Sequence, residues 1–159
     1  KLFDKSEVKP SNYHQKKIET NSVGDRYSKI LQKVFEPEYN FSDYSRASSI
    51  YWPGNKLGHG REDVSKLWNS LKDIFSDINF SIEHIGYLNE PNKNPKASIR
   101  WFLEGIHSND SKEFGKKSNS KLFIMGINHV ELDDDGVIRE WVLFDEVAIW
   151  KQILMNKVN

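Results

Sequence analysis

The stretch KLFIMGINHVELDDDGVIREWVLFD, residues 121–145, decides the fold. Two β-rich runs, 121–132 and 137–145, flank Asp133-Asp134-Asp135-Gly136. Asp and Gly tolerate positive φ, so this tetrapeptide predicts a hairpin turn between antiparallel strands. The first run carries large apolar residues at both parities: Leu122 and Ile124 on one, Phe123, Met125 and Ile127 on the other. A strand of that composition wants cover on both faces.

Upstream, 79–88 and 96–107 are long β-rich segments, set off by polar loops at 89–96 and 108–120. Before residue 78 the period is helical. Tyr27, Ile30, Leu31, Val34 and Phe35 form one apolar stripe and predict a helix over 24–35, stopped by Pro37. Val64, Leu67, Trp68, Leu71, Ile74 and Phe75 do the same over 61–75, with Glu62 and Asp63 in the first turn, where the helix dipole favours anions. A short strand at 48–52 lies between the two helices. Glycines 54, 58 and 60 read as a turn without the lysine of a phosphate-binding loop. Val147, Trp150, Ile153 and Leu154 stripe a closing helix over 146–155. Helices segregated from a mostly antiparallel sheet give an α+β fold. A sheet this long curls around its N-terminal helices into a cone with a pocket at the open end. Residues 1–21 are polar and aperiodic and read as a flexible arm or linker. Residues 22–159 then form a single domain.

A chain of 159 residues fits one domain that buries roughly 68–70% of its unfolded surface. Its 23 basic and 23 acidic side chains cancel, which argues against a nucleic-acid or anionic-membrane partner. It has no Cys, which excludes disulfides, thiolate catalysis and Cys-ligated metals. No zinc-binding helix or dinucleotide fingerprint is present, and the Asp133–Asp135 run lacks the alternation of a calcium loop. Neither metal nor cofactor is therefore expected. No apolar run approaches the ~18 residues of a membrane span, and no signal peptide is visible. The expected location is the cytoplasm, although a start at Lys1 leaves a removed leader or upstream region open.

Several short motifs resemble those of the SnoaL-like polyketide cyclase family, within the nuclear-transport-factor-like superfamily of curled α+β cones. Gly60-Arg61-Glu62-Asp63-Val64 is similar to that family's start of the second helix, and Phe75-Ser76-Asp77 to its following turn, with Ser76 where Pro is usual. The strand from Ser98 to His107, containing Arg100, Trp101 and Gly105, resembles another segment. So do Gly126–His129, Asp135–Trp141, Asp145 and Lys151-Gln152 near the C-terminus. The likeness covers about residues 25–155. It implies the cone fold and leaves activity open, because cyclases, isomerases, dehydratases, hydrolases and non-catalytic domains share that fold.

The resemblance points to Asp145 as an acid/base for proton transfer next to a carbonyl, with His129 beside it. A partly desolvated carboxylate suits that role. Asp145 is equally placed to be the N-cap of the closing helix, and His129 to be a satisfied core residue. Tyr51, Trp52, His59, Trp101, His107 and Trp141 are the candidate pocket lining. Trp101 shares parity with Ile99 and Leu103. Trp141 shares parity with Val137, Leu143 and Asp145, so if Asp145 faces the cavity Trp141 does too, unless a bulge intervenes. Arg100 is placed to pair with Glu104.

Two functions fit these residues. One is a domain that binds a small hydrophobic or ring-bearing molecule in a Trp-lined cavity, with cofactor-free acid–base chemistry at Asp145. The other is a non-catalytic ligand-binding or dimerisation domain of a longer protein. In either case the apolar outer face of the 121–132 strand predicts a homodimer.

Overall fold

A computed structural model describes residues 22–156 of the protein. The arm expected at 1–21 lies outside them. The elements run α1 (Ser22–Val34), β1 (Tyr44–Trp52), β2 (Lys56–His59), α2 (Gly60–Lys72), β3 (Phe75–Leu88), β4 (Lys96–His107), β5 (Lys121–Asp133), β6 (Gly136–Phe144) and α3 (Glu146–Asn156). The strands form one sheet in the order β2-β1-β6-β5-β4-β3. Every neighbouring pair is antiparallel except β1 and β6, which run parallel.

The α+β cone matches the sequence reading, with three local differences. First, β1 starts at Tyr44 rather than 48, because Tyr44 pairs with Val137 across a register irregularity. Second, the glycine turn contains a strand, β2, in which Leu57 and Gly58 pair with Tyr51 and Ile50. Third, α2 stops at Lys72, and Phe75 pairs with His107 as the first residue of β3.

The helical stripes account for the packing. Helix α1 lies against β3 and β4, and α2 against β1 and β2. Tyr27, Leu31, Val64, Trp68 and Leu71 are buried with Ile50, Ile99, Trp101 and Leu103 of the sheet. Burying one such side chain contributes about 1.5–3 kcal/mol. Trp101 pairs across the strands with Gly126, and its indole covers that glycine so closely that a methyl group there would overlap the ring.

The hairpin forms where expected, closing at Asp133 and Gly136, with Gly136 at φ 125°. The Asp135 N–H donates to Asp133 Oδ1 at 2.9 Å, and Arg26 Nη1 of α1 donates to the Asp133 carbonyl at 2.8 Å. Helix α1 is thereby tied to the tip of the β5–β6 ribbon.

Helix α3 is fixed by two polar contacts. Asp145 Oδ1 accepts from the Ala148 N–H at 3.0 Å, which is an N-cap bond. Gln152 accepts from the Phe123 N–H and donates to the Phe123 carbonyl, both at 2.8 Å. Pairing of β5 with β6 begins only at Gly126, so the Gln152 amide occupies the backbone edge that β6 leaves open. Asp145→Ala should cost about 1 kcal/mol, and Gln152→Ala about 0.5–1.5 kcal/mol because it removes two hydrogen bonds to the exposed Phe123 backbone. Thermal unfolding checks both, at about 2–4 °C per kcal/mol for a chain of this size. Faster hydrogen exchange at the Phe123 amide should appear in the Gln152 variant.

Candidate functional site

The chemistry-bearing residues fall on the two faces of the sheet. On the concave face, Glu140 is fully buried in β6. Its Oε1 accepts from the Tyr27 hydroxyl and from Asn128 Nδ2 at 2.9 Å. Its Oε2 accepts from the Tyr44 hydroxyl at 3.0 Å and from Trp68 Nε1 at 3.2 Å. Asn128 extends the network: its Nδ2 also donates to the Tyr27 oxygen at 2.7 Å, and its Oδ1 accepts from Trp101 Nε1 at 2.8 Å. All six residues have 0% exposure.

Burial holds the Glu140 carboxyl above its ordinary range, and the hydrogen bonds from Tyr27, Trp68, Tyr44 and Asn128 oppose that shift without cancelling it. Burial, then the charge of Glu140, drives the Tyr27 and Tyr44 phenols well above theirs. Each carboxylate oxygen already accepts two hydrogen bonds. A reacting group would have to displace a phenol or an indole to reach it.

The convex face holds two adjoining grooves. One, of about 520 Å³, is lined by Lys96, Ile127, His129, Val130, Glu131, Trp141 and Leu143. The other, of about 360 Å³, shares Ile127 and Leu143 and reaches Asp145. Two rows of side chains cross this face. His129 pairs across the strands with Trp141, and Trp141 with Tyr51, whose rings stack at 5.4 Å and 6°. Beside that row, Glu131 bonds Arg139 at 2.7 Å and Lys96 at 3.3 Å.

Several placements correct the sequence reading. Asp145 does not project into the interior: it is exposed at the end of β6 and caps α3. His129 and Trp141 are exposed on the convex face rather than lining a cavity, as is Tyr51. For Trp141 and Asp145 the cause is one extra residue in β6. Glu131 pairs with Arg139 but Leu132 with Val137, so Ile138 is a bulge that reverses parity after Val137. Trp52 is buried rather than at a rim, edge-on to Trp68 and Phe144. Trp101 faces inward, as its parity implied, but packs in the core. His59 is exposed at the end of β2, with Nδ1 at 3.2 Å from Ser49 Oγ. His107 is buried rather than at a mouth, and its Nδ1 lies 3.1 Å from Ser118 Oγ in the following loop. Arg100 pairs with Glu83 at 3.1 Å and Glu104 with Lys121 at 3.0 Å, not with each other. The structure thus groups His129, Trp141 and Tyr51 on one outer surface, with Asp145 in the adjoining groove, and scatters the rest.

Sequence reasoning missed Glu140 and Asn128 as a pair. The available signal was strand parity counted back from Val142 and Phe144, which places Glu140 inward. Among the described residues no group of three or more His, Asp or Glu is arranged to hold a metal ion. No helix of these residues is long and apolar enough to cross a membrane.

No protein-family model matches the chain, and no curated protein does. Solved structures do. A candidate SnoaL-like polyketide cyclase of Shewanella putrefaciens CN-32 superposes with a TM-score of 0.67 at 17% identity, covering 86% of this chain and 88% of that one. IdmH of Streptomyces antibioticus, named as a candidate polyketide cyclase, gives 0.66 at 14% identity, over 84% and 99%. A candidate SnoaL-like cyclase of Jannaschia sp. CCS1 gives 0.64 at 13%, over 84% and 95%. At these identities the likeness is one of architecture, and it agrees with the motifs between residues 60 and 152: the chain has the SnoaL-like α+β cone fold.

Proposed function

We propose that this SnoaL-like domain is a non-catalytic assembly module that pairs with a second copy of itself through the convex face of its sheet. The observation that carries this reading is the exposure of five large apolar side chains on two adjacent strands: Phe123 45%, Met125 59%, Ile127 41%, Trp141 39% and Leu143 66%. A monomer rarely leaves so large a contiguous apolar surface uncovered.

A second copy suits the face better than a charged partner. Its ionic groups are of both signs and bonded among themselves: Lys96 and Arg139 both to Glu131, Arg100 to Glu83, Lys121 to Glu104. Mixed signs fit a twofold contact in which one patch meets itself. A formal net charge of zero adds no repulsion between copies. Some neighbours in fold are named as cyclases, and that chemistry would need an interior open to substrate. Here Trp68, Trp101, Tyr27 and Tyr44 fill the space around Glu140 and bond it or its partner Asn128. Glu140 accordingly serves as a structural anchor in this reading.

Two outcomes test it. Glu140→Gln keeps the shape but turns an amide N–H toward Tyr, Trp and Asn donors. It should destabilise the fold by about 3 kcal/mol in denaturant titration, while an active enzyme would lose turnover with its fold intact. In light scattering the full chain should run at twice 18.6 kDa. Leu143→Glu, a change on exposed surface, should weaken pairing about 30-fold or more, the scale of a central contact of ~2 kcal/mol. A wild-type chain that stays monomeric at high concentration overturns the proposal.

A further inference from the structure

Resting on the pairing just proposed, we infer that His129 makes it proton-sensitive: two copies hold together near neutral pH and separate in mild acid. His129 stands where the apolar face meets its charged margin, in the larger groove, with Ile127 two residues before it, Glu131 two residues after it, Trp141 opposite on β6 and Ser98 opposite on β4. A second copy laid over this patch takes both imidazoles out of water. A neutral imidazole tolerates that transfer, and an imidazolium does not unless a carboxylate meets it.

Within one copy, the carboxylate nearest His129 along the face is already engaged. On β5, Glu131 is already bonded to Arg139 of β6 at 2.7 Å and to Lys96 of β4 at 3.3 Å. That trio carries one negative and two positive charges, a local excess of one positive charge. Arg100 of β4 is balanced by Glu83 of β3 at 3.1 Å. The residues of β1 on this side, Ser49 and Tyr51, carry no charge, and His59 of β2 adds only a further site for a proton. A proton on His129 therefore enters an apolar surface beside an existing positive excess, and twofold pairing brings two such groups into one interface.

The direction follows. Mild acid charges an imidazole. If pairing requires both copies neutral, the dimer dissociation constant rises as the pH falls, by up to about 10-fold per pH unit for each histidine and ~100-fold for the two. The experiment is sedimentation velocity of the full chain at pH 7.5 and 5.5 at constant ionic strength, for wild type and His129→Phe, with far-UV circular dichroism confirming the fold at both values. The expected result is a wild-type dimer at pH 7.5 that dissociates about 100-fold more readily at pH 5.5, and a His129→Phe dimer of equal strength at both. Equal wild-type dimerisation at both values overturns the switch and leaves the pairing intact. Equal acid weakening in His129→Phe also overturns it, since another group then carries the effect. A wild-type monomer at pH 7.5 overturns the pairing itself.

Discussion

The structure depends on the satisfaction of one buried carboxyl group. Taking a carboxylate out of water carries an effective penalty of several kcal/mol even after relaxation. At Glu140 that penalty is offset by donors from four different elements: Tyr27 on α1, Tyr44 on β1, Trp68 on α2 and Asn128 on β5. Trp101 on β4 joins one bond further out, through Asn128. Apolar packing alone accepts a helix slid by a turn or a strand rotated slightly, because it is non-directional. A carboxylate that needs four donors at hydrogen-bond distance does not. The network therefore fixes where both helices sit on the sheet.

Much of this architecture was legible from spacing. The stripes through Tyr27, Leu31, Val64 and Trp68 gave both helices and their buried faces, and the Asp-Gly turn gave the hairpin. What escaped was orientation along β6. Alternation counted from Val137 sends Trp141 and Asp145 inward, and the bulge at Ile138 reverses this after a single residue. The run Val-Ile-Arg-Glu-Trp marks the bulge only indirectly: counting from Val137 puts Arg139 inward, and counting back from Val142 and Phe144 puts Glu140 inward, so either count buries a charged residue. The same blindness hid β2, whose four residues sit among glycines that read equally well as a turn.

The closing segment shows why a recognisable motif fixes fold more firmly than chemistry. Asp145 and Gln152 belong to the stretch that carries the family resemblance, and both hold helix α3 here. One caps α3, and the other supplies an amide to Phe123 where β6 has ended. An Asp at a strand-to-helix junction is required for capping whether or not it also moves a proton. Its presence in sequence therefore cannot separate the two roles.

Adjacent residues of β6 connect the interior to the surface. Glu140 points in and Trp141 points out, so the network that locks one also holds the other. Trp141 is further held by its stack on Tyr51. A surface built this way loses little conformational freedom when it is covered, which is what association rewards. It also carries a hazard, since exposed apolar strands invite open-ended aggregation. A twofold contact removes that hazard: the patch that binds is the patch that is consumed, and growth stops at two copies. In the proposed pairing, the bonded Lys96, Glu131 and Arg139 at the margin would favour a partner that presents both signs in return.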